Sequence, residues 1–344
     1  MDIMKDNHFK VRIQCMTYNH APYIEDAMNG FCMQQTGFPF LAVVVDDAST
    51  DGEPEVIKHY LAEHFDNEAL DLPTPDETDE YVRVFARHKE NKNCYFLVMF
   101  LKYNHYSIKK AKLTSVADLL RPIPYIALCE GDDYWIDPQK LQRQVEFLEG
   151  HDEYSLCCHR YKIYNQNNGT WDADYVKELF DEHPDGFSFS NKENLNTWIT
   201  KTLSLVFRRD CYDSKDLKKY KYTCDEHSCY HMLKKGMGYC FPFFGGVYRR
   251  TDSGVFSPLS EKQKFVRWCQ IRSEMLNNNL DDKELRDKML YETRWCLYEH
   301  DVSQELLCVI TACIRSYYHT DGLKGALACQ KKLLKSYVNG FCRK

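Results

Sequence analysis

The sequence predicts an α/β fold, a mostly parallel sheet with helices on both faces, followed by a C-terminal all-helical extension. Three observations predict it. Apolar runs of strand length alternate with helical stretches over about the first 150 residues, two of those runs end in paired aspartates, and beyond about Pro258 the pattern is helical with no strand signal. Alternation of this kind favours parallel strands joined by right-handed crossovers.

The first strand is the run from Lys10 to Thr17 (KVRIQCMT), which breaks at Tyr18-Asn19-His20. Ala21-Pro22 opens an amphipathic helix to about Gln35, with Pro22 suited to a first turn where its missing N–H is not needed. Phe40 to Val45 (FLAVVV) is near-continuously apolar, as in a parallel strand covered on both faces. It ends in Asp46-Asp47-Ala48-Ser49-Thr50-Asp51-Gly52, a polar turn rich in helix-capping residues, and a helix follows to about Phe65. Asp66 to Glu80 holds seven acids, two prolines and no base. It reads as a solvated surface insertion, since like charges repel and Pro73 and Pro75 block helix. Tyr81 to Arg87 reads as a strand and Tyr106 to Leu120 as a helix. Tyr125 to Cys129 (YIALC) is a buried strand that stops at Glu130-Gly131-Asp132-Asp133-Tyr134-Trp135, and Asp137-Pro138 caps a helix to about Glu149. From His151 the alternation fades: Leu203 to Phe207 and Tyr239 to Phe243 read as strands, with a helix from Asp225 to Lys235 between them.

A chain of 344 residues with 44% hydrophobic and 14% aromatic content can bury a large core. Its 45 basic and 51 acidic side chains, net −6, are not the footprint of a dedicated nucleic-acid binder. No stretch reaches the roughly 18–20 apolar residues that cross a bilayer. The opening Met1-Asp2-Ile3-Met4-Lys5-Asp6 lacks the apolar core of a secretory signal, so the expectation is a soluble, cytoplasmic protein. The 16 cysteines include no CxxC pair, and most lie in apolar runs where a reduced thiol acts as a small buried hydrophobe. Cys224, His227, Cys229 and His231 have a spacing that fits no standard zinc pattern.

Asp46-Asp47 and Asp132-Asp133 each end an apolar strand. Ligands of open α/β sheets bind beyond the carboxyl ends of the strands, which directs both pairs into one cleft. Gly131 ahead of the second pair lets backbone approach a ligand closely. Such carboxylates are hard oxygen donors suited to Mg2+ or Mn2+ held together with phosphate oxygens. The alternative use of the same residues is as caps and surface turns.

The segments CMTYNHAPYIEDAMNGFCMQQT, VVVDDASTDG and YIALCEGDDYWIDPQKLQRQVEFL resemble family 2 glycosyltransferases of the GT-A fold in wording, order and spacing. More weakly, the resemblance continues through Asp225 and Val247-Tyr248-Arg249 to Gly254-Val255-Phe256-Ser257, so that it covers roughly residues 8 to 257. It implies a GT-A domain over 8–257, with a nucleotide-binding half at 8–150 and an acceptor half at 151–257, and a helical extension over 258–344. It further implies inverting transfer of a sugar from a nucleotide-diphosphate donor, a UDP-sugar, to a hydroxyl of a glycan or lipid-linked acceptor in polysaccharide biosynthesis.

The same resemblance implies roles. Thr17, Tyr18, Asn19, Asp46, Asp47 and Arg249 would bind the nucleotide, Tyr18 by stacking and Asp46 by hydrogen bonds to base or ribose. Asp132 and Asp133 would stand at the family's D-x-D element and hold Mn2+ or Mg2+ on the diphosphate, where a Lewis acid stabilises leaving-group charge. Trp135 would line the sugar or acceptor pocket, unless it is a core aromatic under the strand end, and Gly254 would hinge a loop over bound donor. Asp225 would be the base, with Glu226 as the alternative one position on. The chain departs from the pattern at Thr251, where the group often carries His, and at Phe256, where it carries Trp; Arg249 and Arg250 could offset the loss by pairing with phosphate.

Two other readings stay open: a nucleotidyltransferase, although the Gly-rich basic phosphate loop is missing, and a catalytically silent nucleotide-sugar-binding or scaffold protein. In the tail, Gly322 to Lys344 carries Lys324, Lys331, Lys332, Lys335, Arg343 and Lys344 and no acid. Leu323, Leu327, Leu333, Leu334, Tyr337, Val338 and Phe341 form its apolar stripe. A basic amphipathic helix suits peripheral contact with anionic lipid; packing on the catalytic domain is the alternative.

Overall fold

The computed structural model describes residues 8–66, 76–174, 176–221, 223–251, 259–299 and 303–341. The chain runs β1 (Val11–Thr17), α1 (Ile24–Cys32), β2 (Phe40–Asp46), α2 (Glu53–His64), β3 (Asp76–Glu77), β4 (Tyr81–Arg87), β5 (Cys94–Leu101), β6 (Tyr125–Leu128), β7 (Tyr134–Trp135) and α3 (Lys140–Gly150). It continues through β8 (Tyr154–Asn165), β9 (Thr170–Asp172), β10 (Phe187–Phe189), α4 (Asn191–Asn196), β11 (Val206–Arg208), α5 (Asp225–Leu233) and β12 (Met237–Arg250). Three helices close it, α6 (Glu261–Asn277), α7 (Lys283–Glu299) and α8 (Gln304–Phe341).

The strands form one sheet in the order β10-β12-β8-β11-β6-β1-β2-β5-β4-β3. Its centre, β6-β1-β2-β5, is parallel, and β4 and β11 join it antiparallel on either side. β2 and β5 are buried at every position, which is why they read as unbroken apolar runs rather than alternating ones. One core packs Ile13, Met28, Phe31, Val44, Phe96 and Trp135; a second gathers Leu41, Val43, Val45, Leu97, Met99 and Leu120. Residues alternate between these two cores along each central strand, as the period of two requires.

Several elements differ from the sequence expectation. β5 and the 12-residue β8 fall where no strand was expected. Residues 106–120 are mostly turn, with a 3-10 turn at Thr114–Val116 and a single helical turn at Ala117–Leu120. The helix is interrupted at Lys109, which adopts a left-handed φ of 56°, while the backbone N–H groups of His105 and Tyr106 donate to the Asp47 carboxylate. Most of the acidic insertion, residues 67–75, lies outside the described residues.

The chain divides into two compact units. The first comprises Met1–Phe189, Ile199–Tyr212 and Lys235–Thr251 and holds the sheet. The second gathers Ser190–Trp198, Asp213–Lys234 and Asp252–Lys344, so it is more than the 258–344 extension read from the sequence. Its core explains the difference: Tyr220 and Tyr230 are buried with Met275, Leu285, Val309 and Cys329. Tyr230 also donates to Asp282 (2.6 Å), and Asn279 donates to the Tyr220 hydroxyl (3.0 Å).

Candidate active site

Thr17 and Asp46, the last residues of β1 and β2, are register partners, and the loops beyond them are built as one piece. Glu53, the first residue of α2, is fully buried and accepts from the Thr17 hydroxyl, the Ser49 hydroxyl (2.8 Å) and the His20 backbone N–H (2.9 Å). Asn19, with a φ of 58°, accepts from Thr50 N–H at Oδ1 (2.8 Å) and donates its own N–H to Ser49 Oγ (2.9 Å). Glu53 received no role from the sequence, because one acid at a helix start reads as an ordinary dipole partner. Its meaning lies in which donors the fold delivers to it.

Tyr18 is exposed on this platform, 43% accessible, whereas Thr17 turns its hydroxyl inward. Asp46 is buried; loss of solvent pushes its carboxyl up to about 6, opposed by the Ser49 hydroxyl and N–H and reinforced by Glu53 and Asp47. Asp47 differs from the expectation of a residue facing nucleotide. Its buried carboxylate accepts from His105 N–H (2.7 Å), Tyr106 N–H (3.1 Å) and Lys112 Nζ (2.8 Å), and so anchors the 104–112 loop.

Beyond β6, Glu130, Asp132 and Asp133 bring one carboxylate oxygen each within 4.8 Å of the others. Glu130 carries no role in the sequence reading; its alternation with Asp132 across Gly131 is the available signal. Asp133 is buried, with Oδ1 accepting from Arg249 N–H (2.8 Å) and Oδ2 without a hydrogen-bond partner. Burial, with Asp132 and Glu130 beside it, pushes its carboxyl well above the ordinary range, against the Arg249 N–H and Lys201. A cluster of this kind is relieved by a cation, and its all-oxygen donors fit Mg2+ or Mn2+.

Arg249, at the end of β12, is 5% exposed and lies between the rings of Tyr23 (4.6 Å) and Tyr134 (5.0 Å). Its Nη2 donates to Asp26 (2.6 Å), while Nε and Nη1 have no hydrogen-bond partner. Trp135 corrects the pocket expectation in favour of the core. It is 2% exposed, donates its ring N–H to Leu203 O (2.8 Å), meets Phe31 edge-on and has Lys140 Nζ over its ring at 3.9 Å.

In the second unit, Asp225 is the first residue of α5. Glu226 pairs with Arg272, a buried guanidinium that also approaches Glu292 (3.4 Å). Gly254 and Phe256 lie outside the described residues.

Residues 15–215 match the family model described as Glycosyl transferase family 2, and the chain belongs to that family. It is 32% identical over 257 residues to the uncharacterized protein Rv1520 of Mycobacterium tuberculosis and, equally, to Mb1547 of Mycobacterium bovis. Those matches take in 74% of this chain, which spans 62% of the length of the mycobacterial relatives. The uncharacterized glycosyltransferase MG025 homolog of Mycoplasma pneumoniae is 22% identical over 264 residues, 75% of this chain and 74% of that protein. Among solved structures, S. aureus TarS 1–349 in complex with UDP superposes with a TM-score of 0.57 at 15% identity, covering 97% of this chain and 91% of that one. The sheet and its helices are therefore a GT-A fold.

Proposed function

We propose that the chain is an inverting glycosyltransferase that moves a sugar from a UDP-linked donor to a hydroxyl of a glycan or lipid-linked acceptor, assisted by Mn2+ or Mg2+. The observation that carries the reading is the Glu130, Asp132 and Asp133 cluster after β6, with Asp133 Oδ2 buried and unpartnered. Family membership supports glycosyl transfer, and the UDP complex of TarS supports the nucleotide class.

In this reading the three carboxylates hold the cation, which when bound supplies a Lewis acid for the charge of a departing nucleotide diphosphate. Tyr18 offers an exposed ring to stack on uracil, and Asp46 accepts from the base or ribose. Thr17, Asn19 and Asp47 position that platform through the bonds they already make. Arg249 retains two N–H donors of the kind that pair with phosphate. Asp225 takes the proton of the acceptor hydroxyl; Glu226, already paired with Arg272, is the weaker candidate. Residues 322–344 contact anionic lipid where the acceptor is lipid-linked.

The test is calorimetric titration with UDP, with and without Mn2+, then with a panel of UDP-sugars. Loss of an outer-shell partner of a metal site costs about 10–100-fold in affinity, so loss of a direct ligand in Asp132→Ala should cost at least that in Mn2+-dependent UDP binding. Intact metal-dependent binding and turnover in Asp132→Ala overturns the mechanism. Metal-dependent binding without hydrolysis or transfer of any donor makes the chain a silent nucleotide-sugar-binding protein instead.

A further inference from the structure

His20 follows β1 and lies over the acidic cluster, yet nothing in the reading above uses its ring. Its Nδ1 is 3.1 Å from Thr17 Oγ1, and Thr17 Oγ1 in turn donates to Glu53. A threonine hydroxyl has one proton. That proton goes to Glu53, a carboxylate that accepts at every contact it makes here, so toward His20 the hydroxyl oxygen is an acceptor. In the neutral ring Nδ1 must then carry the proton, and Nε2 is left with its lone pair. The opposite tautomer would turn the Thr17 proton toward Nδ1 and leave Glu53 Oε1 without that donor.

The lone pair on Nε2 faces Asp132 Oδ2 at 3.9 Å, and both side chains are largely buried. The gap is too long for a hydrogen bond, and in this tautomer neither atom has a proton to place in it. Two buried acceptors facing each other are unfavourable unless something positive lies between them. A divalent cation about 2.0–2.2 Å from each ligand atom reaches both across that gap. Glu53, Thr17 and His20 then form a relay in which a carboxylate, through a hydroxyl, fixes the tautomer and orientation of a metal-binding imidazole. Gly131 makes the approach possible, since a Cβ there would lie 2.1 Å from Thr17 Oγ1 and 3.1 Å from His20 Nδ1.

We propose that His20 Nε2 is a ligand of the cation held by Asp132, and that this nitrogen tilts the site from Mg2+ toward Mn2+; the inference rests on the metal-assisted reading of the acidic cluster. Mg2+ prefers oxygen donors and dehydrates reluctantly, whereas nitrogen donors favour transition-metal ions.

The test is electron spin-echo envelope modulation of Mn2+ bound to the whole chain, which reads nitrogen coordination directly and needs no turnover. The wild type should show 14N modulation that changes to the 15N pattern when the protein is made with 15N-histidine, a result that requires no substitution. His20→Gln should abolish it and weaken Mn2+ at least about tenfold while weakening Mg2+ less. Thr17→Val, which removes the outer-shell partner, should weaken Mn2+ about 10–100-fold. If Mn2+ binds in an Asp132-dependent way without histidine modulation, or if the modulation survives His20→Gln, the inference fails and the proposed function stands. If the wild type binds no Mn2+, both fail.

Discussion

Lys140 is a buried charge whose environment fixes a measurable pH dependence. It is fully buried at the start of α3, donates to Gln144 Oε1 (2.8 Å) and sits 3.9 Å over the Trp135 ring. Burial brings its pKa down to about 7, with Cys129, Cys157 and Asp137 opposing the shift. The unfolded chain holds this proton up to about pH 10.4. Between about 7 and 10 the unfolded state therefore binds more protons than the folded state, and stability rises with pH through that window. Lys140→Met removes the titration and keeps the length of the side chain. Its absolute stability includes a penalty of about 1–3 kcal/mol for the orphaned Gln144 Oε1, but its slope does not. Urea unfolding at pH 7 and pH 9 should show a flatter pH response in the variant, the two slopes differing by on the order of a kcal/mol or more. Equal slopes would mean that Lys140 stays charged in the core.

At the scale of elements, the closest fit is the turn from β6 into the acidic cluster. Gly131 donates its N–H to Met16 O (3.2 Å), and a Cβ on it would lie 2.6 Å from Thr17 Cβ. Thr17 cannot yield, because its hydroxyl is fixed on Glu53 and its carbonyl accepts from Asp47 N–H (3.0 Å). Gly131→Ala should therefore destabilise by about 1–3 kcal/mol, as overpacking does, and weaken Mn2+ at the cluster in the same variant. A urea midpoint indistinguishable from wild type would show that the two loops move independently. The sequence made this turn legible because its strand is a short apolar run with an abrupt polar stop. β1, β2, β4 and β6 were legible for the same reason, and α5 by its spacing. β8 was not legible: its burial comes from β11 and β12, partners at distant positions that local periodicity does not register. The expected helix at 106–120 is interrupted at Lys109, whose left-handed φ of 56° local periodicity does not register. Likewise the acidic words marked Asp132 and Asp133, but Glu53 and His20 acquire meaning only when β1, β2 and β6 lie side by side.

At the scale of the whole molecule, net charge is negative while one stretch, Gly322–Lys344, has six bases and no acid. Gly322, with a φ of 63°, breaks α8 where that stretch begins. The apolar stripe expected there divides in two. Ala326, Cys329 and Leu333 face inward, and the last two belong to the core with Cys269 and Met289. Leu323, Leu327, Leu334, Tyr337 and Val338 are exposed. At 100° per residue these exposed positions share one face, bordered by Lys324, Lys331 and Lys335 on the side away from the core. No helix among the described residues is long and apolar enough to cross a membrane. An apolar row edged by lysines matches the boundary of an anionic bilayer, where each lysine near the surface contributes about 1 kcal/mol. Removing the segment would expose the second unit's core, so substitutions on the outer face are the proper test. The wild type should co-sediment with vesicles containing phosphatidylglycerol and far less with phosphatidylcholine alone, and 0.5 M salt should release it. Leu327→Glu with Leu334→Glu should reduce binding by at least about tenfold at unchanged thermal stability, since both side chains lie in water. No sedimentation above a vesicle-free control with either vesicle type, or a dimer in solution that the same pair of substitutions disperses, would assign the face to something other than lipid.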